Sequence, residues 1–183
     1  HSERMSQLAD EIGVMLWEEI PVYWLIDFDN PETLANARNQ LKELMTRDYN
    51  RASVIIWSVG NENPDTDSRL KFMSQLADDC HAFDKTRLVS AACLVNIDKM
   101  AICDRLTGVV DIISFNQYYG WYFRNYEGLK EILDNSVVDK PLMISETGAG
   151  CDYGHHGNSE EIFSEEHQAK VYEHQIKYSD GRI

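Results

Sequence analysis

The chain has 183 residues, 43% of them hydrophobic and 26% charged, and a net charge of -14. That composition suits one sizeable core, and no apolar run approaches the roughly 20 residues of a membrane-spanning helix. The acidic balance excludes a sequence-independent nucleic-acid binder, which needs clustered Lys and Arg. Cys80, Cys93, Cys103 and Cys151 form no Cys-x-x-Cys pair. They read as reduced, mostly buried thiols, which favours a cytoplasmic location. No targeting segment is legible, and in a chain that opens at His1 this carries no information about location.

Met5, Leu8, Ala9 and Ile12 fall at helical spacing, with Gly13 where a C-terminal cap belongs. A buried strand, Val14-Met15-Leu16-Trp17, then ends in Glu18 and Glu19. Asn30-Pro31 predicts an N-cap with proline in the first turn. Leu34, Ala37, Leu41, Leu44 and Met45 form the apolar face that follows. Residues 53–58, Ser-Val-Ile-Ile-Trp-Ser, make a continuous run of the kind buried on both faces of a parallel sheet. A helix carrying Leu70, Met73, Leu76, Ala77, Cys80 and Phe83 comes next, capped by Asp67 or Ser68. Further strands are expected at 87–91, 110–115 and 141–145, with helices at 127–133 and 163–178.

Five strands alternating with helices indicate an α/β protein with a parallel sheet. No Gly-rich phosphate loop follows any strand. Instead Glu19, Asn61-Glu62, Asn116-Gln117-Tyr118 and Glu146 all fall at the carboxyl ends of strands, the rim on which a (β/α)8 barrel builds its active site. Five strands cannot close a barrel of eight, so the expectation is a partial TIM barrel, about strands three to seven. Glycoside hydrolysis uses two carboxyl groups flanking the bond. Glu62 and Glu146 qualify, because each follows a hydrophobic strand among small or polar residues. Either one alone reads more readily as a solvated loop carboxylate; the pair does not.

Trp57-Ser58-Val59-Gly60-Asn61-Glu62 resembles the strand-four motif of glycoside hydrolase family 2, and Ile144-Ser145-Glu146-Thr147-Gly148-Ala149 resembles its strand-seven segment. Asn116 through Tyr122 and Phe163 through Gln168 are similar to the β-glucuronidase-like branch of that family, as are Leu8 to Gly13 and Trp17-Glu18-Glu19. The resemblance implies that Glu62 is the acid/base, Glu146 the nucleophile, and Asn61 a donor to the sugar 2-hydroxyl. It implies that Tyr118 donates to Glu146, and that Asn116 and Tyr122 line the sugar site. A Tyr122 that only packs at the rim stays open, as does Glu19, which either binds a sugar or anchors a loop. Trp57 reads as a core residue rather than a stacking platform.

His155-His156 reads as a loop lip and not a metal site, because adjacent side chains diverge and no third ligand is spaced to join them. Asp65, Asp67 and Glu160-Glu161 read as solvated charge. Thr147 stands where the family often has an aromatic residue. The Asn-x-Lys motif that binds the sugar carboxylate in β-glucuronidases lies beyond the eighth strand and is not in this sequence.

The resulting expectation is a catalytic barrel domain over residues 1–183, incomplete at both ends, from an enzyme with β-sandwich domains ahead of the barrel. Its reaction is retaining hydrolysis of terminal β-linked sugars by double displacement, needing no cofactor and no metal. β-Glucuronidase is the first choice and β-galactosidase the runner-up; an inactive fragment or carbohydrate-binding remnant is the rival from another class. The expected partner is a carbohydrate substrate, with no nucleic acid and no membrane, and the full-length parent is expected to be a homo-oligomer.

Overall fold

The computed structural model describes residues 1–180. The elements alternate in the expected order: α1 (Glu3–Ile12), β1 (Leu16–Glu19), α2 (Pro31–Asp48), β2 (Val54–Asn61), α3 (Asp67–Phe83), β3 (Leu88–Cys93), a 3-10 turn at Arg105–Gly108, β4 (Ile112–Asn116), α4 (Gly128–Asn135), β5 (Leu142–Glu146) and α5 (Glu165–Ser179). The strands follow one another in the sheet in chain order, with β1–β2 and β2–β3 parallel. A helix in nearly every crossover and consecutive strand order make this five of the eight strands of a (β/α)8 barrel.

Two compact units divide the chain. The first comprises His1–Leu94 with Asp104–Ser114; the second comprises Val95–Cys103 with the residues from Phe115 onward. In the first unit, α2 begins as the sequence predicts, with the Asn30 side chain accepting from Glu32 N and Pro31 in the first turn. Its Ala37, Leu41 and Met45 are buried, as are Phe72, Met73, Leu76, Ala77 and Cys80 of α3. Trp57 is fully buried and donates its indole N–H to Asp84 at 2.9 Å, a core residue as expected. In the second unit, Leu129, Ile132 and Leu133 of α4 and Val171 of α5 are buried.

Several expectations are corrected. The apolar face read on α1 is exposed at Met5, Leu8 and Ile12, whereas Ser6 and Ala9 are buried. Ser6 turns inward because its hydroxyl serves two buried carboxylates, Glu18 at 3.2 Å and Asp48 at 3.4 Å. For the same reason Glu18 lies inside β1, while Val14 and Met15 precede the strand and are exposed. The cap of α3 is Thr66, whose side chain accepts from Arg69 N, in place of Asp67 or Ser68. β2 runs three residues past the predicted end, to Asn61, and its Ile55 faces outward, 38% exposed. Cys80 and Cys93 are buried as expected, but Cys103 is exposed and Cys151 half-buried. Burial pushes the Cys80 thiol up to about 12 and raises Cys93 as well, so both are unreactive.

Gly60 is the one position in β2 that admits no side chain. A Cβ there would lie 2.6 Å from Met73 Cε, 2.7 Å from the Val22 carbonyl oxygen and 2.8 Å from Asn63 Oδ1. The methionine tip can move and the backbone oxygen cannot, so glycine is what lets the chain after β1 lie against the end of β2.

Candidate active site

In the first unit that close approach builds the surroundings of Glu62. Asn61 N donates to Val22 O at 2.9 Å, and Trp24 N donates to Asn61 O at 2.9 Å. Glu62 N donates to Ala92 O at 2.9 Å, at the end of β3. The residue after the strand is thereby tied to the strand ends on both sides. Glu62 adopts φ 50° and Trp24 φ 52°, left-handed conformations that cost a non-glycine residue on the order of 1–3 kcal/mol and persist only where the surroundings impose them. The Asn63 amide, buried, donates to Trp24 O at 2.9 Å. Finally, the Trp24 indole N–H donates to Glu62 Oε2 at 3.1 Å.

A second layer holds the loop after Glu62. Arg69 is fully buried and donates to Pro64 O at 3.0 Å and to Asp104 Oδ1 at 2.9 Å, with Asp65 Oδ1 at 3.1 Å. Arg105 donates to Asp65 at 2.8 Å and to Asp67 at 2.6 Å. Asp65 and Asp67, read from sequence as solvated charge, are thus ion-paired anchors of this loop.

In the second unit Glu146 closes β5 and is exposed. Its carboxylate Oε2 accepts a hydrogen bond from the Tyr118 hydroxyl, and its carbonyl accepts from Gln117 N at 3.0 Å. Asn116, at the end of β4, is buried and accepts at Oδ1 from Ser145 Oγ at 2.8 Å. The Gln117 amide donates to Thr147 Oγ1, which gives the unexpected threonine a polar role where an aromatic side chain has none. Tyr122 is 70% exposed, its ring centroid 5.0 Å from that of Tyr118. Trp121, beside it, packs edge-on against Phe163 at 5.1 Å. The second unit therefore brings Asn116, Tyr118, Tyr122 and Glu146 to adjoining strand ends; the first brings Asn61 and Glu62 to the end of β2.

Glu19, left open in the sequence, accepts from Ser58 Oγ at 2.5 Å and from Trp17 Nε1 at 3.1 Å, contacts that suit an anchor. His155 and His156 point to different partners, Glu161 at 3.0 Å and Glu166 at 2.9 Å. Glu160 pairs with Lys170. Among the described residues no helix is long and apolar enough to cross a membrane.

The family model described as glycosyl hydrolases family 2, TIM barrel domain, matches residues 1–181. The chain belongs to that family. Among its relatives are a β-glucuronidase from Paenibacillus borealis, 28% identical over 93% of this chain and 31% of its own length, and one from Streptococcus agalactiae serotype V, 31% identical over 99% of this chain and 34% of its own. Among solved structures, a β-glucuronidase from an uncultured Clostridium species superposes with a TM-score of 0.83 at 28% identity, covering 99% of this chain and 34% of that one. A family 2 β-galacturonidase from Eisenbergiella tayi, bound to galacturonate, superposes with a TM-score of 0.82 at 26% identity, covering 98% and 33%. This family 2 chain spans about a third of the length of most of these relatives.

Trp24, Asn63 and Arg69 went unmarked in the sequence. Only Asn63 had a signal, its place directly after Asn61-Glu62. Trp24 lies 38 residues before its partner, and Arg69 sits on a helix where Arg is ordinarily a surface residue.

Proposed function

We propose that this chain is part of the catalytic barrel of a retaining β-glycosidase of the β-glucuronidase type, with Glu62 as acid/base and Glu146 as nucleophile. The observation that carries the reading is that each glutamate stands at a strand's carboxyl end with one carboxylate oxygen held by an aromatic donor, Trp24 for Glu62 and Tyr118 for Glu146. A donor of this kind fixes a carboxylate's direction, which glycosyl transfer requires of both groups.

In the first step a Glu146 oxygen bonds to the anomeric carbon while the bond to the leaving oxygen breaks and that oxygen takes the proton from Glu62. In the second, Glu62 takes a proton from water as the water oxygen bonds to the anomeric carbon, and the Glu146 ester bond breaks. Asn61 donates to the 2-hydroxyl, a contact that strengthens as charge develops in the transition state. Asn116 and Tyr122 line the sugar site. Identity with named β-glucuronidases over nearly the whole chain favours a glucuronide substrate. The galacturonidase neighbour supports a second reading, a uronide differing in configuration at one ring carbon.

The test uses the full-length parent. Activity on aryl β-glucuronide should exceed that on aryl β-galacturonide and β-galactoside; the reverse order moves the assignment. Glu146→Ala should lose activity on every substrate and, with azide, yield the α-glycosyl azide. Glu62→Ala should lose about 10²- to 10⁴-fold on poor leaving groups, spare a dinitrophenyl glycoside, and yield the β-azide. Exchanged configurations would swap the two roles.

A further inference from the structure

We infer that Trp24 is a positioning residue that decides which oxygen of Glu62 carries the transferable proton; the inference rests on Glu62 being the acid/base.

An indole N–H can donate and cannot accept. In the first unit it meets Glu62 at Oε2, 3.1 Å away. When Glu62 is protonated, the oxygen that accepts from an N–H is best left as the carbonyl-type oxygen, so the proton resides on Oε1. When Glu62 is a carboxylate, the same N–H stabilises charge at Oε2, so the proton taken from water arrives at Oε1. One oxygen therefore both gives and receives the proton, and the carboxyl group need not turn over between the two chemical steps.

Trp24 has little else to do where it stands. It is 61% exposed, whereas Trp57 is fully buried in the core of the same unit. A tryptophan kept for packing hides its ring. Trp24 is instead held out by its backbone: the Asn61 carbonyl takes its N–H, the Asn63 amide takes its carbonyl, and Tyr23 bridges to Asn61. Those contacts run to the residues on either side of Glu62. Both partners of the indole–carboxylate bond are left-handed non-glycine residues, so each contributes strain that the other's anchoring opposes. The exposed ring also lies beside the group that protonates the leaving oxygen, on the side from which the leaving group departs.

Trp24→Phe in the full-length parent keeps a ring and removes the N–H. Its kcat/KM should fall about 10- to 100-fold on phenyl or alkyl glycosides, which need protonation, through kcat with KM nearly unchanged. On the 2,4-dinitrophenyl glycoside, which needs none, the loss should stay under about 3-fold. That substrate also reports the folded fraction, and Trp24→Leu supplies the same comparison if the phenylalanine variant is poorly soluble. Equal losses on both substrates, or no loss on either, overturn the inference. Glu62→Gln, measured in parallel, separates the two ideas. If it shows the leaving-group dependence and Trp24→Phe does not, only the role of Trp24 fails. If Glu62→Gln shows none, the assignment of Glu62 fails first.

Discussion

The Tyr118 hydroxyl donates to Glu146 Oε2 while the backbone N–H of the preceding residue, Gln117, donates to the Glu146 carbonyl at 3.0 Å. Two consecutive residues beyond β4 thus fix one glutamate, its main chain and its side chain separately. The backbone bond extends the strand pairing; the phenol acts on the group that attacks.

Tyr118→Phe in the full-length parent keeps the ring and its contact with Tyr122 and removes only the hydroxyl. A hydrogen bond to a charged group is worth about 1.5–3 kcal/mol, so kcat/KM should fall about 10- to 100-fold. A dinitrophenyl glycoside should lose as much as a phenyl glycoside, because attack by Glu146 is needed for both. A loss confined to poor leaving groups would put Tyr118 with the proton donor instead.

The strand-helix alternation and the two glutamates were legible because apolar runs and strand-end carboxylates are local signals. Gly13, Asn30-Pro31 and the face of Ala37, Leu41 and Met45 follow from spacing alone. The errors came where a polar group is buried by a distant partner. Ser6 is inside because Glu18 and Asp48 are, and no periodicity within α1 announces that. Thr66 caps α3 while Asp67, one residue on, is drawn to Arg105. Trp24 reaches Glu62 through a loop conformation set by Gly60, Val22 and Asn63 together. Such clusters are fixed by the fold and have no pattern along the chain.

Asp84 should set part of the acid sensitivity of the first unit. Burial pushes its carboxyl up, but the hydrogen bonds from Thr86, Arg87 and Trp57 together outweigh this and hold it well below its ordinary value of 3.8. A carboxyl depressed in the folded state stabilises fully above its ordinary value, and that contribution is lost as pH falls toward the folded one. Asp84→Asn leaves the Arg87 guanidinium, 14% exposed, without its counter-charge, at a cost of about 3–5 kcal/mol. Thermal unfolding against pH should show the variant destabilised near neutrality and the gap to wild type narrowing below about pH 4. A gap independent of pH would assign the acid limb to other groups.

The loop before α5 should be ordered in a defined pH window. Glu166 accepts from Gly157 N at 3.0 Å and from His156 Nδ1 at 2.9 Å, and these contacts, the backbone one foremost, hold its carboxyl down to about 2. The same carboxylate, with Glu165 behind it, raises His156 above its ordinary 6.5. Glu165 itself accepts from Gly154 N at 2.8 Å, and His155 meets Glu161 at 3.0 Å. The carboxylate's contribution is present above its ordinary 4.5 and lost as pH falls toward about 2. The imidazolium's contribution is complete below 6.5 and lost as pH rises through its raised value. Both act together between 4.5 and 6.5. Amide hydrogen exchange at Gly157, corrected for the intrinsic pH dependence, should be several-fold slower at about pH 5.5 than at about pH 8.5. His156→Gln, which cannot gain the charge, should exchange at the faster rate at both. Equal protection in the wild type at the two pH values would show that the Gly157 contact holds the loop without the histidine.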